Sequence, residues 1–308
     1  MTPSGGEPDA APDDGVRPTA PLHDIARAKV NLTLEIRGRR ADGYHELESL
    51  VAFTRFGDGL TLHPGRPFSL ETRGPLAAAI DGDNLIQKAA ALYAADGEGD
   101  AAALPRGAFA LDKQIPIAAG LGGGSADAAA ALRLLARAEA EPRVLSTLLP
   151  LAAKLGADVP ACLFSMPAIM TGIGEQLRFV PAFPAIPIVL VNPLLPLATA
   201  AVFRELNAPP LQASVVAGDP PSFATIDDVV AYARDRRNDL QVPAQRLLPV
   251  IGPMLDRLAS SAGALLARLS GSGPTCFALF HEQAEADAAA AELRAEHPDW
   301  WVTFTVLG

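Results

Sequence analysis

Between Ala28 and Ile36 apolar and polar positions alternate, with Val30, Leu32, Leu34 and Ile36 on one side and Lys29, Asn31, Thr33 and Glu35 on the other. That period of two predicts a half-buried strand carrying Lys29 and Asn31 on its polar side. Arg37 to Tyr44 holds Gly38, Arg39-Arg40 and Asp42-Gly43, a turn signal that leads to a second strand over Leu47 to Phe53. Behind the capping pair Asp83-Asn84, Leu85 to Tyr93 repeats apolar residues at helical spacing. Phe109 to Ile115 predicts a strand, and Ser125 to Ala138 an Ala-rich helix buried through Leu132, Leu134 and Leu135. A further helix ends at Leu155 with Gly156 as its stop, and Pro150 requires a late start or a kink in it.

The texture changes near Phe183 to Ile186. Ile186 to Val191 reads as a buried strand, and a Pro- and Ala-rich stretch runs from Asn192 to Pro221. Then come a helix over Pro249 to Ala267, a turn at Ser270 to Gly273, a strand over Thr275 to Phe280, a helix over Glu282 to Glu296 and a strand over Trp301 to Leu307. This order predicts an α+β fold with helices on one side of a sheet. With 308 residues the chain is long enough for two cores, so we divide it into a leader over 1–22, rich in Pro, Ala, Gly and Asp, and domains over 23–184 and 185–308.

Between the strand ending at Ile115 and the helix starting at Ser125 lies Pro116-Ile117-Ala118-Ala119-Gly120-Leu121-Gly122-Gly123-Gly124-Ser125-Ala126. Strand, glycine loop, helix is the construction of an anion cradle, in which backbone N–H groups converge at the positive end of a helix. The run lacks the lysine of a Walker loop and the spacing of a dinucleotide fingerprint, and a glycine run can equally be a plain turn. The net charge of −10 gives no basic surface for nucleic acid or anionic lipid, so phosphate-binding cations must be local. The two cysteines, Cys162 and Cys276, sit in apolar runs, as buried free thiols of a reducing compartment do. No apolar run is long enough to span a bilayer. A cytoplasmic protein is expected, with no membrane and no nucleic-acid partner, monomeric or weakly dimeric.

A kinase acting on an alcohol needs a phosphate cradle, a divalent cation, a group to take or steer the hydroxyl proton and positive charge near the transferred phosphoryl. Lys29 could supply that charge or be an ordinary strand lysine. Asp158 could be a general base or cap the helix that begins at Val159-Pro160. Ser125 could meet phosphate or metal, or cap its helix. Asp127 suits the helix dipole, and becomes a Mg2+ ligand only if a cation lies between it and a triphosphate. Tyr44 and His45 could hold a base by stacking and hydrogen bonding, or could be a strand-edge aromatic and a turn residue.

The Pro116 to Ala126 run resembles the second motif of the GHMP kinases, and Ala28 to Leu32, Arg40 to Leu47 and Leu155 to Pro160 resemble further segments of one branch of that family, in the same order. The resemblance runs from Ile25 to the end of the chain. It implies an N-terminal domain like ribosomal protein S5 domain 2, a ferredoxin-like C-terminal domain and a site between them. It also implies ATP- and Mg2+-dependent phosphorylation of the 2-hydroxyl of the methylerythritol part of a CDP-linked alcohol, homoserine and mevalonate being the alternative acceptors and a non-catalytic nucleotide-binding protein the alternative of another class. By position, Lys29 and Asp158 match the catalytic pair, and Asn31, Tyr44, His45, Thr199 and Phe203 the alcohol substrate. Asn84 and Lys113 match the adenosine, and Gly271 to Gly273 the last glycine-rich motif. Ala118 and Ala119 stand where some relatives have glycine, which implies that the loop avoids positive φ there. Asp127 stands where related sequences can have an amide.

Overall fold

The computed structural model describes residues 19–79, 84–96, 106–212 and 218–308; most of the expected leader, and Asp83, lie outside the described residues. The strand expected over Ala28 to Ile36 is two strands, β1 (Leu22–Asn31) and β2 (Glu35–Arg39). The break occurs because Leu34 pairs elsewhere: its N–H donates to the carbonyl of Arg237 at 2.8 Å, and its carbonyl accepts from Asp239 N–H at 2.8 Å. The polar side of this segment is not solvated either, since Lys29, Asn31 and Thr33 are 5 %, 4 % and 2 % exposed. Both faces are covered, so the three polar side chains must find partners inside the protein.

β3 (His45–Pro67) is far longer than the expected Leu47 to Phe53, and it is the hub of the sheet. β1 and β2 pair with it antiparallel. β4 (Ser69–Arg73) follows, then α1 (Leu85–Asp96) and β5 (Arg106–Asp112). β5 ends three residues before the expected Ile115, because the N–H groups of Gln114 and Ile115 turn to the carboxylate of Asp58. α2 (Gly123–Arg137) starts two residues before Ser125 and buries its Ala-rich face against α1 and β1. α3 (Leu149–Leu155) takes Pro150 in its first turn, the late start. α4 (Val159–Phe164) leads to the hairpin β6 (Ala168–Gly172) and β7 (Gln176–Phe179).

β8 (Ile186–Asn192) is buried throughout. Three helices lie beyond it: α5 (Thr199–Leu206) within the Pro-rich stretch, α6 (Ile226–Arg234) and α7 (Gln241–Leu247). α8 (Ile251–Ala259) is shorter than the expected Pro249 to Ala267, because Gly263 turns at φ +79° and the chain joins the sheet as β9 (Leu266–Leu269). β10 (Cys276–Leu279), α9 (Gln283–Glu296) and β11 (Trp301–Leu307) match expectation to within a residue. The main sheet runs β4-β5-β3-β11-β8-β10-β9, with β11 joined to β3 at Leu307 and Thr54.

Three hydrophobic clusters lie against this sheet. One is beneath α1 and α2, and the other two cover opposite faces of β8 and β10. Ile188, Leu190, Phe277 and Leu279 face the first-half strands, whereas Val189, Val191, Cys276 and Ala278 face α8 and α9. That two-sided cover explains the unbroken apolar run over Ile186 to Val191. Both cysteines are buried and free. Among the described residues no helix is long and apolar enough to cross a membrane.

Candidate active site

Lys29 reaches the site because β1 carries it there against the glycine loop. Its backbone N–H donates to the carbonyl of Leu121 at 2.9 Å, and its ammonium donates to Asp158 Oδ1 at 2.7 Å. The Lys29 side chain is 6 % exposed and that of Asp158 is 36 % exposed, so the carboxylate is the open end of the pair. Asp158 does stand at the N-cap position of α4, but its side chain makes no capping hydrogen bond. The carboxylate is therefore committed to Lys29 and to the cavity above it.

The cradle is built on glycine for reasons visible atom by atom. Gly122, the N-cap of α2, has φ +64°, and a Cβ on it would lie 3.5 Å from the Lys29 side chain and 3.8 Å from Asp158 Oδ2. No side chain caps α2, so the N–H groups of its first turn point into the cavity unclaimed by a cap. This excludes the capping reading of Ser125, which lies inside the first turn and lines the cavity. Ala118 adopts φ +51°, contrary to the expectation that the loop avoids positive φ there. A non-glycine residue in that region costs about 1–2 kcal/mol, which the surrounding contacts must offset.

The turn Ser270 to Gly273 faces this loop. Ser270 Oγ donates to the carbonyl of Gly120 at 3.0 Å, and Thr275 N–H donates to the carbonyl of Ala119 at 3.2 Å. Ser270 Oγ also accepts from Asn31 N–H at 3.2 Å. Asn31 Nδ2 donates to Ser49 Oγ at 2.8 Å, which leaves its carbonyl oxygen turned toward Gly271. Ser49 was invisible as a site residue in the sequence because serine in a strand carries no signal of its own, whereas the turn that holds Ser270 was a weak signal that gains meaning by facing this loop.

Two adjoining cavities result. One, of about 440 Å³, is lined by Lys29, Asn31, Asp158, Ala118 to Gly120, Gly122 to Ser125, Gly271 and Ser272. The other, of about 640 Å³, is lined by Arg39, Tyr44, His45, Phe203, Arg204 and Asn207. Leu47, Ala157, Ile173, Thr199 and Phe203 line both, so the two lie side by side. The His45 and Phe203 rings lie 4.8 Å apart, Tyr44 is 60 % exposed at the rim, and Thr199 Oγ1 is 2.9 Å from Ser272 Oγ. Burial and then the charge of Arg39 hold His45 below its ordinary value, which favours the neutral ring.

Some expected residues lie elsewhere. Leu121 and Ala126 turn into the core, and Pro116 and Ile117 do not line the cavity. Asn84 Oδ1 accepts from Ile86 N–H at 2.9 Å, so Asn84 caps α1, and its neighbour Leu85 lines the cavity in its place. Lys113, expected at the adenosine, is 3 % exposed beneath the loop, where its ammonium donates to Asp58 Oδ2 at 2.6 Å and to Asp127 Oδ2 at 2.8 Å. Asp127, 4 % exposed and bonded to Lys113, does not fit a metal site in the cavity. Among the described residues no group of three or more His, Cys, Asp or Glu could hold a metal ion. The Ser125 hydroxyl does fit, because Mg2+ needs few protein oxygens when phosphates and waters complete its shell.

Burial pushes the Asp127 carboxyl up to about 7, against the pull of Lys113, and the two carboxylates outweigh burial to keep Lys113 above its ordinary value. In the unfolded chain an aspartate titrates near about 4. Between about pH 4 and 7 the folded state therefore holds a proton that the unfolded state releases, and this contribution to stability falls as pH rises. Asp127→Asn, whose amide oxygen can still accept from Lys113, is expected to gain in melting temperature relative to the natural chain from pH 4.5 to pH 8. Parallel melting curves across that range would contradict the assignment.

The family described as "GHMP kinases N terminal domain" matches residues 84–166, and "GHMP kinases C terminal" matches residues 223–299. A 4-diphosphocytidyl-2-C-methyl-D-erythritol kinase of Bradyrhizobium sp. is 50 % identical over 296 residues, covering 92 % of this chain and 95 % of the relative. A protein of the same name from Rhodopseudomonas palustris is 52 % identical over 295 residues, covering 91 % and 95 %. The crystal structure of a 4-(cytidine 5'-diphospho)-2C-methyl-D-erythritol kinase superposes with a TM-score of 0.73 at 34 % identity, covering 93 % of this chain and 99 % of the other. Sequence and fold thus agree over nearly the whole length, and the chain belongs to the GHMP kinase family, among its 4-diphosphocytidyl-2-C-methyl-D-erythritol kinases.

Proposed function

We propose that this chain transfers the γ-phosphoryl group of ATP to the 2-hydroxyl of 4-diphosphocytidyl-2-C-methyl-D-erythritol, giving the 2-phosphate and ADP, in the cytoplasm. The observation that carries the reading is the 2.7 Å Lys29–Asp158 pair, placed among the residues that line the glycine cradle and next to the aromatic cavity. A phosphoryl donor on the cradle and a cytidine between Tyr44, His45 and Phe203 would bring a hydroxyl to that pair from the aromatic side. Asp158 accepts or orients the hydroxyl proton, and Lys29 sets positive charge beside the developing alkoxide and the transferred phosphoryl. Asn31, Thr199 and Ser272 offer polar groups at the junction for the remaining hydroxyls. Positioning and electrostatics supply most of the acceleration in such a transfer. Ser125 is the residue that would hold Mg2+ on the phosphates, where the ion would neutralise charge on the β- and γ-oxygens.

The test is ADP release from ATP and Mg2+ with the CDP-linked alcohol, homoserine or mevalonate as acceptor. Only the first is expected to support turnover, because a small aliphatic alcohol leaves the aromatic cavity empty. Tyr44→Ala is expected to raise KM for the CDP-linked alcohol about tenfold, the order of one base-stacking contact, with KM for ATP nearly unmoved. Equal changes in both constants, or turnover of homoserine or mevalonate at the same efficiency, would refute the acceptor assignment.

A further inference from the structure

The phosphate loop leaves β5 after Asp112 and enters α2 at Gly123, and one buried carboxylate on a different strand is tied to both ends. Asp58, on β3, is fully buried. Its Oδ1 accepts from the N–H groups of Gln114 at 2.5 Å and Ile115 at 2.8 Å, which fixes where the loop begins. Its Oδ2 accepts from Lys113 Nζ at 2.6 Å, and the same ammonium donates to Asp127 Oδ2 at 2.8 Å, on the first turns of α2 where the loop ends. Lys113 is itself held through its backbone, whose N–H donates to the carbonyl of Arg73 at 2.8 Å. A Cβ added to Gly123 would lie 3.3 Å from Lys113 Nζ, so the ammonium sits directly under the turn that presents N–H groups to the cavity.

We propose that Asp58 is a positioning residue for phosphoryl transfer: through Gln114, Ile115 and the Lys113–Asp127 pair it clips the entry and exit of the phosphate loop together. A buried ionic cluster contributes little net stability compared with well-packed apolar residues, so its consequence here is geometric: it permits one spacing between strand end and helix start. The cradle acts by aiming backbone N–H groups at phosphate oxygens, and aim is what such a clip preserves. Lys113 then acts on the nucleotide from beneath the loop, through the phosphates and not through the nucleoside.

This proposal rests on the reading that the loop cradles the phosphates of ATP, and inorganic tripolyphosphate with Mg2+ separates the two. If the natural chain binds no tripolyphosphate, the cradle reading fails and the clip with it. If it binds, Asp58→Asn, which withdraws the charge holding Lys113, is expected to raise KM for ATP by about ten- to a hundredfold, the usual cost of a small misplacement. Tripolyphosphate affinity should fall by the same factor, while KM for the CDP-linked alcohol stays within about twofold. A loss confined to ATP with tripolyphosphate unaffected would place Lys113 at the nucleoside and overturn the proposal. So would unchanged binding of both, or a fall in kcat with neither KM moved. Should Asp58→Asn not fold, hydrogen exchange on the natural chain decides. The Gln114 and Ile115 amides are expected to exchange slowly and to slow further with tripolyphosphate, and fast exchange at either overturns the clip.

Discussion

Asp158→Asn is expected to lower kcat by about two to four orders of magnitude, the contribution of a positioned general base, while KM for ATP changes little. The substitution keeps the shape of the side chain and one oxygen for Lys29, whose ammonium lies 2.7 Å from Oδ1. What disappears is the negative oxygen that can receive or steer the acceptor hydroxyl proton. The cradle is left standing, because the Asp158 carboxylate bonds to Lys29 and not to the glycine loop, and even a Cβ added to Gly122 would come no nearer than 3.8 Å to it. ATP affinity and catalysis should therefore separate, and single-turnover phosphorylation at saturating ATP measures the split. Turnover within about threefold of the natural chain would remove Asp158 from proton transfer and leave Lys29 and the cradle as the whole machinery.

Gly120→Ala is the second change expected to be severe, and the reason is two backbones in contact. Gly120 has φ +74°, and a Cβ on it would lie 2.4 Å from the carbonyl oxygen of Ser270 and 2.9 Å from both the nitrogen and the carbonyl oxygen of Gly273. No flexible side chain can yield there, so one of the two glycine turns must move. Their separation would break the Ser270–Gly120 and Thr275–Ala119 hydrogen bonds and withdraw the first part of the cradle from the second half of the chain. KM for ATP should rise about a hundredfold or more, with a lower melting temperature. Gly65→Ala is the control for backbone conformation alone, since Gly65 has φ +75° and open space where the Cβ would go. Equal destabilisation by the two substitutions, with ATP binding intact in Gly120→Ala, would show that the loop contact is immaterial.

Much of this site was legible along the chain. The run from Pro116 to Ala126 announces a strand, a bend without side chains and a helix start, and its order is fixed by local chemistry. Lys29 and Asp158 were nameable from the motifs around them, although each had an ordinary alternative, a solvated strand lysine and a helix cap. The structure excludes both: the lysine is buried, and the aspartate, though at the cap position, spends its carboxylate on the lysine. Tyr44 and His45 were nameable beside an ordinary alternative, Phe203 came only by resemblance, and the distance between the His45 and Phe203 rings is a tertiary fact. Lys113 and Asp127 show the opposite case. Resemblance put Lys113 at the adenosine and the helix start made Asp127 a conditional metal ligand, yet burial joined them to each other and to Asp58, a residue far away in the chain and unremarkable within its strand.

By itself, then, the sequence determined what is local: the periodicity of β11 and α9, the glycine cradle, and which residues carry charge or a ring. Only the tertiary structure decided which of those groups meet. β3 pairs with strands from both halves, and the Ser270 to Gly273 turn closes on Gly120, so partners more than a hundred positions apart share one cavity. The physical reason is that periodicity and backbone preference act over a few residues. Whether a lysine lies beside one carboxylate at an open cavity or between two in the core depends on what the rest of the chain packs around it.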